Sequence, residues 1–203
     1  MFSEALSAVP FNKANAEELV YSELSDLKRK GMDGVIAWLR KSDFAVAPAS
    51  TKYHGAHEGG LIMHSMQVCQ TMLRMHGSLD VEQKLYSKGS IILCSLLHDI
   101  CKTNFYKISF RNVKNDKGKW ESVPYYEVED KLPLGHGSKS CILLLGLGLK
   151  MTAEEMQAIV YHMGGFSSEF QGGDQSISAA YKNNPLAVAL HIADLAATYI
   201  DGR

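Results

Sequence analysis

The sequence contains no cysteine pair of the C-x-x-C type. Its four cysteines, Cys69, Cys94, Cys101 and Cys141, stand singly, which argues against a thiolate zinc knuckle or a redox motif. Cys69, Cys94 and Cys141 lie in apolar runs, as buried free thiols do, and this fits a reducing cytosol better than a disulfide scaffold. A long apolar run is also missing. The longest, residues 141–149, carries two glycines and is too short for a bilayer, so no membrane contact is expected. The segment Met1-Phe2-Ser3-Glu4 lacks the basic and apolar stretches of a signal peptide, and the expected compartment is the cytoplasm. Excess charge is absent too. A formal net charge of -1 gives no global basic field, so tight non-specific binding to nucleic acid is not implied. There is no internal repeat and no low-complexity tract. What remains is ordinary globular composition, 46% apolar and 21% charged, enough for one domain with a short added segment.

Helix punctuation is frequent. Asn15 with Glu18 predicts a capped helix to about residue 30, and a second short helix follows over 33–41. Residues 45–50 read as a connector. Leu61, Ile62, Met66, Cys69, Met72 and Leu73 recur at helical period over 61–75. Residues 90–100 are almost continuously apolar and predict a central helix buried on most sides. Gly137-Ser138 opens a helix over 137–147. Thr152 and Glu155 form a capping box for a helix ending at Gly164-Gly165. Asn184-Pro185 launches another over 186–200. Residues 106–127 partly alternate polar and apolar types around Asn115-Asp116-Lys117-Gly118 and read as a β-hairpin. Residues 167–183, rich in Gly, Ser, Gln and Asp, read as a long loop. The expected fold class is all-α: a helical bundle with a small inserted hairpin at about 106–128. Residues 1–44 form a helical segment packed on a main domain over 45–203.

Several polar residues do not suit their apolar surroundings. His98-Asp99 ends the most apolar helix, Asp194 interrupts Leu190 to Ala197, and His64 interrupts Leu61 to Met66. Burying an unpaired charge costs several kcal/mol or more, so such residues are paired or ligated. One such histidine alone is an ordinary hydrogen-bonded core residue. Several on separate helices converge most simply on a metal. Imidazole and carboxylate suit Mn, Fe, Co, Ni or Zn, and a set without sulfur disfavours a closed structural zinc site.

The order His64, His98-Asp99, His136, His162, Asp194 resembles the HD superfamily of metal-dependent phosphohydrolases in its six-ligand, two-metal form. The local contexts are similar as well. Pro48 to His54, Gly59-Gly60-Leu61 and His64-Ser65 look like the approach to the first metal helix, and Leu96-Leu97-His98-Asp99-Ile100-Cys101-Lys102 looks like the His-Asp-x-x-Lys signature. Leu134-Gly135-His136-Gly137 and Tyr161-His162 look like the later histidine sites. The contexts are most similar to single-domain members and to the HD half of a bacterial 3′-to-5′ exoribonuclease, over roughly residues 45 to 200. Two features depart: Cys101 stands where glycine is common, and no OB-fold precedes the HD part, which removes that enzyme's grip on nucleic acid.

The resemblance implies an HD-domain bundle with two divalent ions (Mn, Fe, Ni, Co, Mg or Zn). His64, His98, Asp99 and Asp194 would hold one, and His136 and His162 the other, with Asp99 bridging. It implies a metal-dependent phosphohydrolase that opens a phosphate ester of a nucleotide or short nucleic acid with an activated water. Asp99, Lys102 and His54 would be catalytic, and Lys102, His54 and His57 would face substrate. Lys102 follows His98 by four residues, the same face of a continuing helix. His54 is the better match to a substrate-facing general acid. His191 is read as orienting a ligand or as a core residue, and His76 as a surface residue. The basic hairpin residues Lys107, Arg111, Lys114, Lys117 and Lys119 either meet a polyanion or form a solvated tip. Phe166 and Phe170 either stack on a base or anchor their loop. No obligate protein partner is implied, and homo-oligomerisation stays open. The same ligands also serve mixed-valent di-iron oxygenases, and a non-catalytic metal- or nucleotide-binding module is a third reading.

Overall fold

Residues 91–97 are all buried, so this helix must be covered on every side. The computed structural model, which describes residues 13–79 and 85–201, shows what covers it. The elements are helices α1 (Lys13–Asp26), α2 (Met32–Lys41), α3 (Gly60–Leu79) and α4 (Lys88–Leu97), then a 3-10 turn (Ile100–Lys102). Strands β1 (Tyr106–Lys114) and β2 (Trp120–Val128) follow, then α5 (His136–Gly146), α6 (Ala153–Val160) and a second 3-10 turn (Gly164–Phe166). The chain ends in α7 (Ser168–Gln171), α8 (Ser176–Asn183), α9 (Pro185–Ala196) and a π-helical turn (Ala197–Asp201). The central helix is α4. Its N-cap, Ser87, accepts from the Ser90 amide, and α3, α6, α9 and α1 pack around it. Val20 and Leu24 of α1 and Val35 and Leu39 of α2 belong to the same core as Met66, Leu93, Ile159 and Leu190. The architecture is mostly helical with a two-stranded antiparallel sheet, as expected.

The hairpin pairs Tyr106 with Val128 at its base and Lys114 with Trp120 at its tip. Lys139 on α5 pairs with Asp130 and lies 4.6 Å from the Phe105 ring centroid, which ties the hairpin's two legs to the bundle. The expected caps at Thr152–Glu155 and Asn184–Pro185 form with their hydrogen bonds. No helix among the described residues is long and apolar enough to cross a membrane. Met1 to Glu4, read for a leader, lie outside the described residues.

Five expectations about the fold fail. The helix capped by Thr152 ends at Val160 rather than at Gly164-Gly165, which instead open a separate 3-10 turn. Helical backbone already runs through Lys13, so Asn15 lies inside α1 rather than capping it. That helix ends at Asp26 and not near residue 30, because the chain turns at Lys28 with φ 48. Residues 167–183 contain α7 and α8. The Asp174 carboxylate accepts from the Ser176 amide, and Ile177, Ala180 and Tyr181 recur at helical spacing beneath a polar composition. His76 is buried, its ring 5.3 Å from that of Tyr86, because α3 runs on past it to Leu79.

Glu155 is fully buried at the start of α6. It accepts both guanidinium nitrogens of Arg29 at 2.8 and 2.9 Å, the Ser90 hydroxyl at 2.9 Å and the Thr152 amide at 2.8 Å. Removing one partner of a buried pair costs about 3–5 kcal/mol. Glu155→Ala is therefore expected to lower unfolding free energy by about that amount in denaturant titration; a loss below about 1 kcal/mol would contradict the role. Glu23 on α1 is buried, with Oε2 unpartnered. Burial, and then the Asp26 charge, push its carboxyl up to about 7. The fold accepts the neutral acid. The resulting stability is complete below the ordinary value of 4.5 and is lost as pH rises through about 7. Glu23→Gln is expected to flatten that decline, on the order of 2 kcal/mol; an unchanged pH–stability curve would overturn the assignment.

Candidate metal centre

Helix α4 stops at Leu97. His98 keeps helical angles, but Asp99 at φ -104, ψ 17 has left the helix. The break turns the Asp99 carboxylate into the middle of the bundle, at 2% exposure. Its two oxygens face different groups. Oδ1 lies 2.9 Å from His136 Nε2 and 3.5 Å from His162 Nε2. Oδ2 lies 3.4 Å from His98 Nε2, 3.7 Å from His64 Nε2 and 2.6 Å from Lys102 Nζ. Asp194 from α9 meets the second group, with Oδ1 at 3.0 Å from His64 Nε2 and 3.9 Å from His98 Nε2. The six expected ligand residues thus come together from α3, the end of α4, α5, the end of α6 and α9.

Two close approaches make this convergence possible. A Cβ on Gly137 would meet the Val160 carbonyl oxygen at 2.3 Å, so only glycine lets the first turn of α5, with His136, press against the end of α6 beside His162. Gly164 has φ 56, and a Cβ there would strike the His191 ring at 2.4 Å. His191 Nδ1 donates to the His162 carbonyl at 2.7 Å, so His191 holds the chain that carries His162.

Backbone carbonyls set the ring protons. His98 Nδ1 donates to Ser95 O at 2.8 Å and His162 Nδ1 to Ile159 O at 2.7 Å. A carbonyl only accepts, so each Nε2 presents a lone pair inward. The Nε2 atoms of His98 and His162 are buried without a hydrogen-bond partner. Each such orphan costs about 1–3 kcal/mol. Lone pairs on imidazole flanking a carboxylate suit a divalent cation, so the residues fit the implied metal. Among the described residues three groups hold ligating atoms within 4.8 Å of one another: His64–His98–Asp99, His98–His162–Asp194 and Asp99–Cys101–His136.

The electrostatics agree. Burial would raise Asp99, but Lys102, His98, the hydrogen bond from His136 and the nearby His162 ring outweigh it and hold the carboxyl well below the usual range. Burial would lower His136, but Cys101 and Asp99 raise it to about 10. Negative charge this concentrated attracts protons or a cation to the same atoms.

A cavity of about 320 Å³ opens onto Asp99, Lys102, His136 and Asp194. Its lining includes the polar His54, Ser50 and Thr198 and the apolar Val128, Met163 and Phe166. His54 packs 4.8 Å from the His64 ring, and its Nδ1 is buried and unpartnered. Burial, then His64 and Lys102, push it down to about 4. At neutral pH it lacks the second proton that a general acid would deliver. Lys102 does not continue α4. It sits on the 3-10 turn three residues after Asp99 and points at that carboxylate. His57 is exposed and does not line the cavity. Of the hairpin, only Tyr106 and Val128 reach the cavity. Lys107 lies near Glu127 and Glu129, and Arg111 lies over the Tyr125 ring. Phe166 lines the cavity, whereas Phe170 packs back toward Gly165.

A curated protein, dihydroneopterin 2′,3′-cyclic phosphate phosphodiesterase of Methanocaldococcus jannaschii, is 41% identical over 64 residues. The match takes in 30% of this chain and about a quarter, 24%, of that protein's length. No family model and no solved structure matches the chain. The chain spans about a quarter of that relative's length.

If the cluster is a metal centre, Mn or Zn at about 100 times its dissociation constant should stabilise the fold by about 2.7 kcal/mol. Thermal unfolding with and without chelator reads this, and Asp99→Ala should abolish the shift. A melting curve indifferent to every divalent ion would exclude the centre.

Proposed function

We propose that the chain is a metal-dependent phosphodiesterase of the HD type, acting on a small phosphoester that carries a flat heterocyclic group. The observation behind this reading is Asp99, whose two oxygens face two separate sets of inward-aimed imidazoles. His64, His98, Asp99 Oδ2 and Asp194 would hold one ion, and Asp99 Oδ1, His136 and His162 the other. Bound there, a pair of divalent ions supplies Lewis acidity toward a phosphoryl oxygen and lets water act as a nucleophile at neutral pH.

The chain's own residues position the rest. Lys102 carries a fixed positive charge at the floor of the cavity, where burial disfavours it but Asp99 holds it protonated. That charge compensates the buried carboxylate and faces an anionic substrate from the same side. His54, which lines the cavity, would hydrogen-bond a phosphoryl or leaving-group oxygen rather than protonate it. Val128, Met163 and Phe166, which also line the cavity, would cover a heterocycle and keep water from it. A volume of about 320 Å³ suits one nucleotide-sized molecule better than a polymer segment. The relative's cyclic phosphate ester of a pterin has this character, and 2′,3′-cyclic nucleotides are the first substrates to assay.

The Mn-loaded chain should hydrolyse cyclic nucleotides or a chromogenic phosphodiester without consuming oxygen. Asp99→Asn should lower kcat/KM by about 10³-fold or more, and Phe166→Ala should raise KM several-fold while sparing kcat. Full activity of folded Asp99→Asn, or turnover coupled to oxygen uptake, would refute the proposal.

A further inference from the structure

We infer that the Cys101 sulfur is a fourth ligand to the ion held by Asp99, His136 and His162, so one half of the centre contains a thiolate and the other does not. The inference rests on the two-ion reading above and adds a donor to it. Cys101 is 2% exposed and sits in the Ile100–Lys102 turn, two residues after Asp99. Its sulfur, an Asp99 oxygen and a His136 nitrogen lie within 4.8 Å of one another. The turn is fixed in place, because the Cys101 amide donates to Ser140 Oγ on α5 at 3.3 Å, and α5 begins with His136.

An independent observation points to a ligand on this side. His162 is fully buried, its Nε2 is unpartnered, and it lies 3.5 Å from the same Asp99 oxygen that faces His136. The other cysteines have different occupations. Cys94 donates to the Glu155 carbonyl and Cys141 to the Met156 carbonyl, while burial pushes Cys69 up to about 12. Only Cys101 lies among the ligating groups that the described residues form.

The chemistry of the addition is definite. Without Cys101 the Asp99–His136–His162 half offers three donors, against four from His64, His98, Asp99 and Asp194. With it both halves offer four. The thiol releases its proton to solvent as the metal–sulfur bond forms. Sulfur favours Zn, Fe(II) or Co over Mg or Mn, so the two halves would select different ions. In the alternative arrangement Cys101 only touches His136 and contacts no ion.

Anaerobic titration of the full chain with Co(II), followed by absorption, separates the two. The expected result is a near-ultraviolet sulfur-to-cobalt charge-transfer band, lost in Cys101→Ser and Cys101→Ala while the visible cobalt bands persist. The same variants should lose about tenfold or more in Zn affinity relative to Mn. Zinc-edge X-ray absorption of the unmutated protein, which depends on no variant folding, should show a sulfur shell near about 2.3 Å. Cobalt bound with visible bands but no charge-transfer band, or a zinc spectrum without sulfur, would overturn the inference and leave the two-ion site standing. Failure of any cobalt to bind would overturn both.

Discussion

A carboxylate removed from water must be compensated where it stands, and the bundle is organised around meeting that demand at Asp99. Lys102 and His136 hydrogen-bond its two oxygens, and the Nε2 atoms of His64, His98 and His162 lie within 3.7 Å of them, lone pairs of His98 and His162 inward, where a cation would complete the compensation. The local devices serve the same end. Helix α4 breaks at Leu97 so that the carboxylate can turn inward. Gly137 lets two helices approach closely enough to set His136 beside His162. Carbonyls of Ser95 and Ile159 fix two ring tautomers so that lone pairs point to the centre. Burial against the apolar core, away from the cavity mouth, makes the arrangement costly without a cation and favourable with one.

The cavity carries the division of labour outward. Its lining combines the charged Asp99, Lys102 and Asp194 with the apolar Val128, Met163 and Phe166. The hairpin lines the cavity only through Tyr106 and Val128 at its base, and α5 ties its legs down through the Lys139–Asp130 pair. A phosphoester with a heterocyclic group matches this polarity: anionic at one end, flat and apolar at the other.

Much of this was legible in the residues, for physical reasons. Apolar period, capping boxes and Asn-Pro starts located α3, α4, α6 and α9, because they reflect local backbone energetics. His64, His98, Asp99 and Asp194 stood out as polar misfits in apolar runs because burial leaves them few alternatives, whereas His136 and His162 were legible only through the resemblance. What could not be read depended on tertiary detail. The break after Leu97, which moves Lys102 off the helix, has no proline or glycine to announce it. The α8 pattern of Ile177, Ala180 and Tyr181 was hidden by its polar neighbours. His76 looked exposed because nothing local marks Tyr86 as its cover. His57 resembled a substrate residue by position alone, and the fold leaves it outside the cavity. Cys101 was visible as a departure from the glycine expected before Lys102, yet its nearness to His136 emerges only when the Ile100–Lys102 turn packs on α5.

The most direct measurement is anomalous X-ray diffraction from crystals of the chain loaded with Mn or Zn. The account predicts two peaks flanking the Asp99 carboxylate, one bound by His64, His98 and Asp194 and the other by His136 and His162. A fully loaded crystal with no ion within coordinating distance of Asp99 would contradict it.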